Sequence, residues 1–511
     1  MIDPYEQLSG AVGASAEWRR AAILATCTGI CFLYAMTATV ANVSLPQMQG
    51  TFSATQDQVA WVVTMNIVAT AVVTPMSGWL VVRFGERRVI LYCLVAFGLA
   101  SLGCGVANSL PELVGYRILQ GAFGAPLAPV TQTLVQASFP RHRHGPAIAI
   151  WGLGAVLGPV VAPTAGGYLS EIYNWRWVFY MILPFSVVAL ASAWIMIKNR
   201  PRTIDAHLDW TGLLALAIAI MCLQLGLDRG ERADWFQSSE IVAYAVCGGF
   251  ALYFFLAHIL TSERPFLRPA LFSDRNFALG MLLTLLFGML NLTPMTLLPG
   301  MLKNVGGYPD IIIGYVLGLR GMGTAIAFLL MIYLSRFNPK TLLICGFACQ
   351  GVAGWQMAQL GANISLWDIA LPLWLQGFGV GLLWVPLTLI SFATLKPEFM
   401  AEGSGIYHFL RNMGGSIHIS LSIAVVLRMK QTSYTDMTSQ VTPFNESFSL
   451  PWAVGGWNIE TTKGMAAMTK EMMRQAIMVG YIDAFYFFVA TVLLSVPLII
   501  FVRWNKPKSS C

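Results

Sequence analysis

Apolar stretches long enough to cross a bilayer recur along almost the whole chain, and few folds accommodate that. They lie near residues 21–42, 58–82, 88–108, 112–136, 146–169, 177–198, 210–227, 240–260, 277–301, 311–335, 341–360, 367–394, 403–427 and 477–502. A hydrocarbon core takes about 20 apolar residues per helix, so all fourteen are candidate spans, with 210–227 and 403–427 the weakest. Only 11% of the 511 residues are charged while 56% are hydrophobic, against roughly 25% charged in a soluble protein. Such a chain cannot clothe itself in polar surface, and the lipid bilayer is its solvent. The expected fold class is an all-α integral membrane protein.

A formal charge of +7 is modest and does not read as nucleic-acid binding. The basic residues instead report orientation. With an inside N-terminus, the inner loops hold Arg83, Arg87, Arg88, Arg141, Arg143, Lys198, Arg200, Arg202, Arg264, Arg268, Arg275, Arg336, Lys340 and Lys396. The short outer loops keep only Arg176, Arg229, Arg232 and Lys303. This asymmetry and an even number of spans put both termini in the cytoplasm. Polar residues precede the first apolar run and no small-residue cleavage site follows it, so it reads as a first span rather than a signal peptide.

Nine cysteines are scattered, mostly within apolar runs, and no second ligand pair accompanies Cys27/Cys31 or Cys345/Cys349. They read as small apolar filler, with no metal site expected. No Ser-x-x-Lys, zinc-ligand or Gly-rich phosphate motif is present. Enzyme chemistry, a bound cofactor and direct ATP drive are therefore not expected.

Segment 428–476 is the largest piece outside the apolar runs, and under this orientation it faces outward. It carries Pro443, Pro451, a glycosylation-like triplet at Asn445, and a helical-looking stretch from Met465 to Arg474 with four methionines. It is either a capping loop or a docking surface for a partner.

Three motifs point to a family. Gly78-Trp-Leu80-Val-Val-Arg83-Phe-Gly85-Glu86-Arg87-Arg88 joins the second and third spans. Its glycines permit close helix approach and a tight turn, with cations at the headgroup level. The fourth span opens with Leu113, Arg117, Gln120, Gly121, Gly124, Ala125 and Pro126 in register. An intramembrane arginine is by default functional, although it can also snorkel to an interface. The fifth span carries Gly152, Gly154, Gly158-Pro159, Ala162-Pro163 and Gly166-Gly167, where small residues permit close packing and prolines bend the helix.

Together these resemble the major facilitator superfamily, and the fifth-span pattern resembles that of its antiporters. Further strings narrow the likeness to the fourteen-helix drug:proton antiporters of the EmrB/QacA type: Asn42-Val-Ser-Leu-Pro46, Trp61-Val-Val-Thr64, Trp175-Arg176-Trp177, Leu227-Asp228-Arg229-Gly230, Gln376-Gly377-Phe378-Gly379 and Arg411-x-x-Gly414-Gly415. The resemblance runs from about residue 21 to 500. It implies two six-helix bundles, 21–198 and 277–502, flanking two additional helices within 199–276, with short cytoplasmic segments at 1–20 and 503–511. It also implies alternating access about a midplane site and a bacterial inner-membrane location. A small-molecule substrate, a periplasmic adaptor and an outer-membrane channel are the implied partners.

One departure bears on mechanism. The first-span carboxylate that the family links to proton coupling and cation recognition is replaced by Thr37, which cannot exchange a proton near neutral pH. His408 and His418 also stand where asparagine and glycine are usual in the family. The ionisable groups left within the spans are Arg117, Arg320, Arg411, Asp483, His258, His408 and His418. Asp483 is the coupling candidate, assisted by Arg117, His408 or His418; the alternative is a static ion pair holding helices together. Thr37, Asn42, Arg117, Gln120, Arg320 and Arg411 are the substrate-cavity candidates. Three arginines against one acid suit anionic or neutral amphiphiles better than cations. Trp61, Phe179, Trp374 and Trp384 are candidate liners of an apolar pocket. Gly78, Arg83, Gly85, Gly158, Pro159, Pro163, Gly166 and Gly167 are the conformational positions. The leading function is a proton-coupled exporter. An uncoupled facilitator or uptake permease for organic anions is the alternative, and a membrane sensor or enzyme the third class.

Overall fold

A computed structural model describes residues 14–198 and 209–502, except 232, 263, 264, 266, 443, 444, 446–455 and 460. Among these residues every regular element is helical. Fourteen spans follow one another. They are α1 (Ala14–Phe52), α2 (Gln58–Phe84), α3 (Glu86–Val106), α4 (Leu110–Gly124 continued by Leu127–Ser138), α5 (His144–Ile172), α6 (Trp177–Met196) and α7 (Trp210–Gly230). After them come α8 (Ser239–Thr261), α9 (Arg275–Asn304), α10 (Asp310–Leu334), α11 (Pro339–Ala358), α12 (Leu366–Phe392), α13 (Met400–Ser439) and α14 (Thr462–Phe501).

Thirteen described helices are each long and apolar enough to cross a membrane. The fourteenth span, α4, is split at Ala125-Pro126 into helices of 15 and 12 residues. Proline lacks the N–H that continues the helical ladder and crowds the preceding turn, so the break sits at its position. With an even number of crossings, α1 begins and α14 ends on one face, called here the proximal face. The opposite one is the distal face.

Hydropathy alone understated two helices. The described parts of the predicted 428–476 segment are largely helical, because α13 and α14 are each 40 residues long. At 1.5 Å per residue, each is about 60 Å, roughly twice the hydrocarbon core. Both therefore project beyond the distal face. Arg474 fastens the base of the α14 projection: its Nε donates to Val305 O at 2.9 Å and its Nη2 to Ala362 O at 2.6 Å. Pro443, Pro451 and the last two residues of the Asn445 triplet fall outside the described residues.

Small residues set the packing within each half. A Cβ on Gly158 of α5 meets Met36 N and Phe32 O of α1 at 2.7 Å. In the other half a Cβ on Gly288 of α9 would collide with Arg411 O of α13. Only glycine admits such backbone approach, and packing of this kind drives helix association in lipid. Gly85 makes the α2–α3 turn at φ +84, in the left-handed region that glycine adopts without strain.

α7 and α8 lie against the seam between the halves. Leu216 and Ile220 of α7 and Phe255 and Ile259 of α8 form one apolar cluster with Ala71 of α2 and Met413 of α13. Much of the rest of α8 is exposed, including Phe250, Tyr253 and Leu260, as expected of a lipid-facing helix.

Candidate translocation site

The halves meet from the proximal face to about mid-helix. Near the proximal ends, a Cβ on Gly78 of α2 meets Glu402 Cα of α13 at 2.6 Å, and one on Gly145 of α5 abuts Ser335, the residue that caps α10. Deeper in, Ser404 Oγ donates to Pro129 O at 3.1 Å. One turn further along α13, His408 Nε2 is hydrogen-bonded to Gln132 Oε1 of α4. Trp151 of α5 then packs edge-on against Trp384 of α12, ring centroids 6.5 Å apart, and against His408 at 6.0 Å. Gly152 abuts Phe328, and Gly321 abuts Val160 at about the middle of α5 and α10.

Three arginines surround the central region, and none forms an ion pair with a described residue. Arg117 is fully buried in α4; its Nε donates to Val62 O at 2.9 Å and its Nη1 to Gln120 Oε1 at 2.5 Å. Gln120 passes the chain on to Ser101 Oγ at 2.7 Å. Arg320 of α10 is held the same way, with Nε on Gln376 Oε1 at 2.6 Å and Nη2 on Asn291 O at 2.6 Å and its Oδ1 at 2.7 Å. Both cations are thus clothed by neutral oxygens. Arg411 is different. Its guanidinium lies over the Trp384 ring at 4.4 Å, its Nη2 reaches only Asn412 Oδ1 at 3.3 Å, and its shielded Nη1 has no partner.

The Major Facilitator Superfamily profile matches residues 27–418. The chain is 30% identical to "Multidrug export protein EmrB" of Haemophilus influenzae over 462 residues, 89% of this chain and 90% of that protein. The identity is again 30% to the EmrB of Escherichia coli K12, over 92% and 93% of the two chains. "Fatty acid resistance protein FarB" of Neisseria gonorrhoeae is 31% identical, over 81% and 82%. Among solved structures, a double-tryptophan XylE mutant superposes with a TM-score of 0.60 at 14% identity, covering 96% of each chain. The human organic anion transporter MFSD10 gives 0.57 at 12% identity, covering 96% of this chain and all of that one. The chain belongs to the Major Facilitator Superfamily. It is a multi-pass membrane transporter of the branch that contains the EmrB exporters, with two six-helix bundles and an additional helix pair.

In this transporter the sequence-derived candidates do not form one cluster. Arg411 and His408 come together around Trp384, whereas Arg117 with Gln120 and Arg320 sit within separate halves. Thr37 is buried in α1, and its Oγ1 donates to Tyr34 O at 2.6 Å. Asn42, further along α1, is exposed. Asp483 of α14 is half-buried and has no hydrogen bond or ion pair among the described residues. His418 is fully buried between α9, α13 and α14, where Nδ1 faces Thr293 Oγ1 at 2.8 Å and Ser422 Oγ at 3.2 Å, and Nε2 faces Thr491 Oγ1 at 3.2 Å. Thr491 is eight residues beyond Asp483, about 12 Å along the helix.

Of the conformational positions, Gly78 sits at the α2–α13 contact and Arg83 is exposed at the proximal end of α2. Gly158 packs on α1 as described, a Cβ on Gly166 would meet Val40 Cγ2 at 2.9 Å, and Pro159 and Gly167 are half-buried in α5. The side chain of Pro163 lies outside the described set. Of the four aromatic candidates, Trp384 is central, Phe179 lies 5.8 Å from the Arg117 guanidinium, Trp61 underlies Arg229 at 5.2 Å, and Trp374 stacks on Phe378. Sequence reasoning overlooked Gln132, Gln136 and Trp151. The signal was present, since Gln120, Gln132 and Gln136 are uncharged polar residues inside an apolar run, where polar groups mark a pathway or a network.

Proposed function

We propose that this transporter is a proton-driven exporter of amphiphilic small molecules, seated in a bacterial inner membrane with the proximal face cytoplasmic. The observation that carries the reading is the closed proximal seam, from Gly78 against Glu402 to His408 against Gln132. A seam sealed on the cytoplasmic side is one end state of alternating access, the one from which an exporter releases its cargo and an uptake permease loads it. The names of the EmrB relatives, multidrug export, favour the export direction. FarB's name adds fatty acids, amphiphiles with a carboxylate, to the range of cargo. With Thr37 in place of a carboxylate, Asp483 is the proton carrier: a carboxyl with no fixed partner among the described residues is free to load and unload as its surroundings change. The distal projections of α13 and α14 form a surface of the kind a periplasmic adaptor, and through it an outer-membrane channel, would use.

The test is proton movement in proteoliposomes presented with organic anions, neutral amphiphiles and cations. Substrate-dependent proton flux that survives Thr37→Ala and is lost in Asp483→Asn supports antiport. Substrate flux without proton movement overturns coupling and favours a facilitator.

A further inference from the structure

Around Trp384, several shielded polar atoms lack partners, and most of them are donors. Arg411 Nη1, Gln132 Nε2 and Trp384 Nε1 each have an N–H and no described acceptor. His408 Nδ1 is also without a partner. Each such orphan costs about 1–3 kcal/mol, and more where the group is charged, so their concentration in one place calls for an explanation. The other two arginines make the contrast clear. Arg117 and Arg320 meet amide and backbone oxygens, with Arg320 Nη1 on Met295 Sδ, and leave no shielded nitrogen unpaired; among the described arginines only Arg87 Nε, at the proximal end of α3, shares that condition with Arg411 Nη1.

The orphans also share a location. Arg411 and Trp384 belong to the C-terminal half, and Gln132 to the N-terminal half, where its Oε1 is engaged by His408 while its Nε2 is left over. Tyr34 of α1 and Tyr407 of α13 lie within electrostatic reach of the Arg411 guanidinium. A cation with a ring face beneath it and neutral donors beside it, and with no carboxylate paired to it among the described residues, lacks one thing, a negative charge.

We propose that Arg411, Trp384 and Gln132 form a binding site for a singly charged anion at the seam between the halves. Arg411 supplies the charge and the Trp384 and Gln132 N–H groups help fix the anion. The site takes either the carboxylate of an amphiphile or a free small anion such as chloride. As a cargo subsite it rests on the export reading above; as an anion site it is measured without transport. Because Gln132 and Arg411 come from opposite halves, an anion held between them favours the proximally closed state.

The experiment is equilibrium binding of radiolabelled laurate to the full chain in nanodiscs. Dodecanol serves as the neutral competitor, and chloride is compared with gluconate as the background salt. Saturable laurate binding that weakens about tenfold or more in Arg411→Gln, less in Trp384→Phe, and is not displaced by dodecanol supports the site. Trp384→Phe keeps an aromatic face while removing the N–H and shortening the ring, so it reports even where Arg411→Gln fails to fold. Displacement of laurate by chloride but not gluconate assigns the site to a free small anion; indifference to chloride assigns it to the amphiphile's own carboxylate. Unchanged laurate binding in both variants, or displacement by dodecanol, overturns the proposal. Arg411-dependent binding without energised transport of any cargo removes the export reading and leaves the site. Transport with Arg411-independent binding does the reverse.

Discussion

Thr64 Oγ1 of α2 donates to Asp228 Oδ2 of α7 at 2.7 Å, and this bond anchors the additional helix pair to the N-terminal half. Beside it, the Arg229 guanidinium lies over Trp61 of α2 and pairs with Glu240 at 3.2 Å. The contact of the pair with α13 is apolar, through Met413. Polar bonds on one side and apolar contact on the other tie α7 more specifically to the N-terminal half than to the C-terminal one. Thr64→Val is expected to lower the unfolding midpoint of the purified protein, by a loss of about 1 kcal/mol, with Thr64→Ser close to wild type. An unchanged midpoint in Thr64→Val means that the bond contributes nothing to anchoring.

The Gly78 contact supplies a second prediction. A Cβ there meets Glu402 Cα at 2.6 Å and Glu402 N at 2.8 Å, both backbone atoms that cannot rotate aside. Gly78→Ala is expected to wedge α2 from α13 and disfavour the closed seam. Overpacking typically costs about 1–3 kcal/mol, so the closed fraction relative to open falls by about fivefold or more. Maleimide labelling of Ser404→Cys, a position fully buried at this seam, reads the change. Faster labelling in the Gly78→Ala background is the expected result, and equal rates would show that the seam absorbs the methyl.

The membrane fold was legible because its signal is dense. Each span of α1 to α14 is an apolar run, and the motif glycines report close approach directly, as Gly158 does against α1. The ends of α13 and α14 were not legible, since a helix leaving the bilayer loses its apolar marking while keeping its hydrogen bonds. The site was legible residue by residue but not as an arrangement. Arg117, Arg320 and Arg411 look alike in sequence, an isolated cation in an apolar run. Only the fold reveals that two are satisfied by Gln120, Gln376 and Asn291, while Arg411 is left with an orphaned nitrogen.

Thr37 tests the charge balance of this region. Its hydroxyl is buried and bonded to Tyr34 O, and Tyr34 lies within electrostatic reach of Arg411. An aspartate cannot donate to that carbonyl, and its charge would partly neutralise the arginine. Thr37→Asp is therefore expected to weaken export of laurate and to confer export of a lipophilic cation such as ethidium. Counterflow of the two probes in proteoliposomes measures the change. Selectivity identical to wild type would remove Thr37 from the cargo path.

His418 separates a structural histidine from a coupling one. Thr491 Oγ1 donates to Phe487 O at 3.0 Å, so His418 Nε2–H is the donor to Thr491. Thr293 Oγ1 stands 2.8 Å from both Met289 O and Nδ1, so its hydroxyl is the donor to Nδ1 of a neutral ring, with the Ser422 hydroxyl 3.2 Å from the same nitrogen. Every proton is then placed with a neutral ring, stacked on Phe487 at 4.7 Å, and the cluster has no need of an imidazolium. His418→Ala is expected to destabilise the protein by about 2–3 kcal/mol through lost packing and orphaned polar groups. His418→Gln keeps an acceptor and a donor, and is expected to restore most of that stability. The deciding readout is the pH profile of substrate-driven proton flux in His418→Gln. A profile that superposes on wild type fixes the residue as a structural pin between α9, α13 and α14. A displaced profile would make His418 part of the proton path and take that role away from Asp483 alone.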